Sequence, residues 1–175
     1  LVLVSLLAGF GTAAAAKTND ERKLAAEAYA QGNFDEARDA YARALKADKP
    51  PAHAGEMHYG LAAAAHQLKD YESAVRSFSE ALESRDTGLQ TRSLRGLGTS
   101  LYDLGDTRLE HEPEFALKAW TDSRDHFTDA LQVLKRLNRE NSAEFRELEE
   151  NRDFVQKRLD ELKKKQEQQK QSQGQ

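Results

Sequence analysis

The sequence predicts an all-α fold: an α-solenoid of three helical hairpins, the third elongated, closed by a C-terminal capping helix. Three observations predict it. The 175 residues are rich in Ala, Leu, Glu, Lys, Arg and Gln and include only three prolines and ten glycines, a composition that favours helix throughout. The segment GNFDEARDAYARAL (32–45) returns thirty-seven residues later as KDYESAVRSFSEAL (69–82). Phe34 answers to Tyr71, Ala37 to Ala74, Tyr41 to Phe78, Ala44 to Ala81 and Leu45 to Leu82. Finally, the chain closes on a segment whose apolar residues sit at sevenfold spacing. A unit that keeps its small and aromatic residues while its charges drift is a unit that stacks on its neighbours.

At the start of the chain, LVLVSLLAGF (1–10) is an apolar run followed by GTAAAAKTND. Its length suits a signal-peptide core and falls short of the ~20 residues needed to cross a bilayer as helix. Ala14 and Ala16 supply the small residues of a cleavage site before Lys17. The sequence carries neither an initiator Met nor a basic leader, so it reads as starting inside its own targeting segment. Residues 1–16 are therefore expected to be a partial signal peptide and the protein to be exported, most simply to a periplasm. The alternatives are a membrane anchor left uncleaved and a buried core helix.

The repeats occupy 17–139, as units 18–51, 55–86 and 88–137. In the first, Leu24, Ala25 and Ala28 form one small-residue stripe and Ala37, Tyr41, Ala44 and Leu45 a second, with Gly32 and Asn33 breaking the helix between them. Alanines belong where the two helices cross, and the rings fill the space between units. Thr18 with Glu21 and Asn33 with Glu36 read as capping boxes, and Pro50–Pro51 end the unit. In the second, Leu61, Ala62 and Ala65 precede a turn at Lys69–Asp70, and Tyr71 to Leu82 form the return helix. In the third, Leu97, Gly98 and Leu101 lead to Gly105–Asp106, but Trp120, Phe127, Ala130 and Leu131 arrive thirteen residues late. The insertion TRLEHEPEFALKA (107–119) keeps helical periodicity on both sides, with Pro113 where a first-turn proline is tolerated. Thirteen residues add about two turns to each arm, placing the tip near His111–Glu112. The glycines of GLGTSLYDLG (96–105) fall on the tight-packing side of a helix.

Residues 141–163 form the expected cap. Phe145, Leu148, Val155, Leu159 and Leu162 make a narrow seam, opened by Asn141 with Glu144 as a capping box. A repeat array needs such a helix because its last hairpin otherwise exposes an apolar face. The cap is expected to lie antiparallel to the long 113–137 helix, with Asn151 near the middle of the contact. Phe115 and Leu109 should face each other on the projecting tip. Residues 164–175, rich in Gln and Lys, are expected to be disordered.

The same residues exclude several classes. Without cysteine there is no disulfide, thiolate metal site or acylated lipoprotein cysteine. A formal charge of −4 gives nucleic acid no electrostatic footprint. His53 and His58 stand five apart rather than at the spacing that aligns two ligands on one helix face. His66, His111 and His126 are isolated. No phosphate loop, dinucleotide-binding glycine motif or nucleophile elbow occurs. No catalytic residue, metal ligand or cofactor is expected, and Trp120 reads as core rather than as a stacking platform. The chain reads as non-enzymatic.

With Leu-Gly/Ala, an aromatic after a Gly-Asp/Asn turn, then Ala, Phe/Tyr and Ala-Leu at a period near 34, residues 18–137 resemble the tetratricopeptide repeat. Lys69 stands where the first unit has Gly32, and the terminal proline is displaced to Pro50. The resemblance implies that the first helix of each hairpin lines a protein-binding groove. Carried onto this sequence, the groove positions are Arg22, Ala26 and Tyr29, then Tyr59, Ala63 and His66, then Arg92, Arg95, Thr99 and Tyr102. Tyrosines would supply rigid contact surface and arginines would capture carboxylates, although Ala26 after Arg22 argues against a dedicated carboxylate clamp. An ordinary solvated face is the competing reading. More narrowly, the elongated ALKAWTDSRDHFTDAL hairpin followed by LEENRDFVQKRLDELKKKQEQQKQ resembles the exported tetratricopeptide components of Bat (aerotolerance-type) operons, with Asn151 where their last helix carries an Asn. That resemblance implies a cell-envelope complex with von Willebrand A-domain membrane proteins and a MoxR-type ATPase. The implied function is a protein-binding scaffold. The alternative is a self-assembling structural protein associating through the 145–162 seam.

Overall fold

The computed structural model describes residues 20–46 and 53–173, and among them every regular element is a helix. The expected signal segment, the Thr18 cap and Pro50–Pro51 lie outside the described residues. The chain divides at Arg85–Asp86 into two compact units, each taken by itself below.

The first unit holds α1 (20–30), α2 (Phe34–Leu45), α3 (Ala54–Gln67) and α4 (Tyr71–Ala81). Each hairpin turns through the same C-terminal motif. Gly32 N–H donates to the Tyr29 carbonyl and Asn33 N–H to that of Ala28, and Lys69 and Asp70 repeat the pair on His66 and Ala65. The motif places one residue in the left-handed region, here Gly32 at φ 79° and Lys69 at φ 61°. The expected alanines make the crossings. Ala25, Ala40, Tyr41, Ala44 and Met57 form one buried cluster, and Ala28, Ala37 and Ala64 a second. The Tyr41 ring lies directly on the backbone of Gly60, where no side chain would fit. Two readings are corrected. Leu24 is 53% exposed, because the contact with α2 is made through Ala25 and Ala28 and Leu24 lies off that line. Asn33 does not cap α2 with its side chain; its amide donates to Gln31 Oε1 at 3.4 Å instead. Asp70 does cap α4, accepting from Ser73 N–H at 3.1 Å.

The second unit holds α5 (Thr87–Arg108), α6 (Pro113–Arg136) and α7 (Ala143–Gln173). The insertion is absorbed as helix. With 22 and 24 residues, the arms are about 33 and 36 Å long, and the tip falls at 109–112 with Pro113 opening α6. Gly105 consequently sits inside α5 rather than at a turn. A methyl there would come within 2.7 Å of the Trp120 ring, and one at Gly98 within 2.8 Å of Phe127. Those two glycines let α5 and α6 approach closely. Ser123 Oγ donates to the Gly98 carbonyl at 2.6 Å and Trp120 Nε1 to the Tyr102 carbonyl at 3.0 Å, so these two buried donors each keep a partner. Trp120 is 1% exposed and belongs to the core. At the tip, Phe115 is covered by the Arg108 guanidinium, 4.5 Å from the ring centroid.

Helix α7 caps the hairpin as expected. Phe145, Leu148, Val155 and Leu159 are buried. It runs antiparallel to α6: Lys135 lies over Phe145, Arg124 reaches Gln156 at 3.2 Å, and Gln166 reaches Glu114 at 3.1 Å. Against α5 it runs parallel, with Arg95 paired to Glu147, Tyr102 to Phe154 and Asp106 to Arg158. The buried seam runs from Phe145 to Leu159, so Asn151 lies near its middle, and the exposed hydrogen bond from Gln166 to Glu114 extends the contact beyond it. The cap residue is Ser142, whose hydroxyl accepts from Phe145 N–H at 3.1 Å; Arg139 takes up Glu144 instead. The expected disordered tail is corrected as well, since helix continues to Gln173. Lys, Gln and Glu are good helix formers and no Gly or Pro interrupts them before Gly174.

Candidate protein-binding faces

On the first unit, the residues implied by the resemblance sit on α1 and α3. Tyr29 meets Phe34 edge-on at 5.3 Å, and His66 meets Tyr71 at 5.3 Å. This is one contact written twice: the last turn of a first helix braced by the opening residue of the second. Tyr59 stands edge-on to Phe78 at 5.5 Å. All three rings are half-buried, Ala26 is exposed and Ala63 half-buried. Tyr29 hydrogen-bonds Gln67, and burial together with the neighbouring Tyr59 raises its pKa. Arg22 holds Glu56 at 3.1 Å, while its Nε is buried without a hydrogen-bond partner. His53 Nδ1 approaches the same carboxylate at 3.6 Å.

On the second unit, α5 carries Arg92, exposed, and Arg95, Thr99 and Tyr102, half-buried. Arg95 holds Glu147 of α7 at 3.3 Å, and the Thr99 hydroxyl donates to the Arg95 carbonyl at 3.0 Å. Tyr102 is sandwiched. One face stacks on Trp120, centroids 5.5 Å apart and planes 15° from parallel, and the Phe154 ring approaches at 5.4 Å. Burial raises the Tyr102 pKa, with Arg158 opposing the shift.

These faces differ electrostatically from the expectation. Two of the arginines expected to capture a partner's carboxylate, Arg22 and Arg95, already hold carboxylates of this chain. Those partners are 34 and 52 positions away in sequence, so nothing local announces them. What remains for a partner is aromatic surface with few uncommitted charges. The residues that the sequence missed are Phe154 and Arg158. Phe154 is 53% exposed; its one signal was an aromatic beside Val155, out of register with the sevenfold seam. Among the described residues no group of three His, Asp or Glu side chains could hold a metal ion, and no helix is long and apolar enough to cross a membrane.

The tetratricopeptide repeat model matches residues 22–89, which takes in the first two hairpins and the start of α5. The match supports a tetratricopeptide-repeat protein, of a class that generally serves as protein–protein interaction modules and non-enzymatic scaffolds. No curated protein matches the chain.

Proposed function

We propose that this protein is an exported, non-enzymatic scaffold that binds another protein through the first helices of its hairpins. The observation that carries the reading is the braced ring pair Tyr29–Phe34 and its repeat His66–Tyr71. Each places a half-exposed ring at one position of successive first helices and holds it in one orientation. Rigid aromatic side chains at a surface bind with little loss of conformational entropy. Export rests on the apolar run 1–10 and the small residues Ala14 and Ala16; a retained anchor is the other form of the same idea. The resemblance to Bat-operon components suggests the partner: a von Willebrand A-domain protein of the cell envelope.

The test is a photo-crosslinking amino acid at Ala63, between Tyr59 and His66, with Glu80 on α4 as control. The expected result is an A-domain envelope protein captured from Ala63 and not from Glu80. Equal capture from both, or none, would overturn the reading. Cell fractionation of the full-length precursor tests export separately, by whether the protein leaves the cytoplasm.

A further inference from the structure

We propose that the outward side of α7 is a self-association surface, on which two copies of the chain pair their α7 helices antiparallel about a two-fold axis at Phe154. The apolar seam of α7 is spent on the hairpin it caps, with Phe145, Leu148, Val155 and Leu159 buried. Phe154 is not part of that seam, and more than half of its surface faces solvent. It is also held in place. Its ring rests edge-on against Tyr102, Tyr102 stacks on buried Trp120, and the Arg158 guanidinium lies 5.0 Å over the Trp120 ring. An exposed aromatic braced from the core loses little entropy on binding, which is the character of an interface anchor.

The charges on either side of Phe154 specify the occupant. Residues 144–153 carry five carboxylates and two guanidiniums, and residues 155–165 carry five cations and two carboxylates. The helix is acidic before Phe154 and basic after it. Such a helix is complementary to its own reverse: an antiparallel second copy sets acidic half on basic half twice over, whereas a parallel copy sets like on like. The boundary residue then meets itself, as a closed two-fold contact requires. Glu150 and Lys157, about a turn to either side of Phe154, are exposed and hold no ion pair among the described residues; in the pair, each meets the other across the axis. Exposed ion pairs contribute little and are screened by salt, so the dimer is weak and salt-sensitive.

Sedimentation equilibrium of the full chain from micromolar to millimolar concentration tests this. At low ionic strength the mass should climb from 19.6 kDa towards twice that value. In ~0.5 M NaCl the midpoint should move to at least ~10-fold higher concentration. Phe154→Ser should stay monomeric with unchanged helix content. Glu150→Lys and Lys157→Glu should each be monomeric alone, and an equimolar mixture of the two should regain the dimer. A monomer throughout the range, a dimer that survives Phe154→Ser, or a mixture that stays monomeric would each overturn the proposal.

Discussion

Lys69 occupies, at φ 61°, the position that Gly32 occupies one repeat earlier at φ 79°. Both donate their N–H to the carbonyl three residues back and close the same turn. A side chain in the left-handed region costs about 1–2 kcal/mol, partly offset by the backbone entropy that glycine loses on folding. Lys69→Gly should therefore stabilise the protein by about 0.5–1 kcal/mol in chemical denaturation, and Gly32→Ala should destabilise it by a similar amount. A Lys69→Gly variant less stable than the parent would show that Lys69 contributes a contact outweighing its strain.

Close packing at the α5–α6 crossing gives the second prediction. A Cβ at Gly105 would sit 2.7 Å from Trp120 and 3.2 Å from the Cβ of Ala119, so Gly105→Ala should cost about 1–3 kcal/mol. Ala74→Leu should cost about as much, because Ala74 is fully buried at a helix crossing. Thermal or urea unfolding reads both, and a neutral Gly105→Ala would mean that the helices can separate without penalty.

Capping of α7 separates two adjacent residues. The Ser142 hydroxyl accepts the Phe145 N–H, and losing such a cap costs about 1 kcal/mol. Ser142→Ala should lower stability by that much and Asn141→Ala should leave it nearly unchanged. The opposite order would return the cap to Asn141.

Alkaline pH gives a fourth. Burial raises the pKa values of Tyr29, Tyr41 and Tyr102 above the ordinary 10.0. A phenol that ionises more readily in the unfolded chain stabilises the fold fully below the unfolded value. That contribution is lost as the pH rises through 10 towards the raised folded values. Urea midpoints should hold level from pH ~8 to ~9.5 and decline above ~10. The decline should be shallower in Tyr41→Phe, where one raised group is removed; no decline up to pH ~11.5 would contradict the burial.

Amide exchange maps the long hairpin. The helical stretches up to Arg108 and from Ala116 should exchange slowly, as should 145–159, because α7 packs on α6 from Phe145 onward. Protection should fade along 164–173, where the side chains are largely exposed and the hold on α6 is the exposed hydrogen bond from Gln166 to Glu114. Fast exchange throughout 107–119 would mean that the arms are not extended helices.

The sequence by itself determined the helices and most of their ends. Alanine and aromatic spacing, Gly32, Asp70 and Pro113 act through the backbone within a turn or two, so their effect is written locally. It also carried the insertion, because periodicity survives on both sides of His111. Only the tertiary structure decided which side of each helix is spent on packing. Leu24 looks like a core residue until α2 is placed, the role of Phe154 is invisible until Tyr102 stands beside it, and Arg22 and Arg95 look free until Glu56 and Glu147 arrive from other helices. Trp120 was legible as core, but its hydrogen bond to the Tyr102 carbonyl, and through Tyr102 the support of Phe154, depends on how closely α5 and α6 approach. That distance is set by Gly98 and Gly105 of α5 meeting Phe127 and Trp120 of α6. A contact between residues far apart in the chain has no period and no spacing, so it leaves no mark in the sequence until the helices are packed.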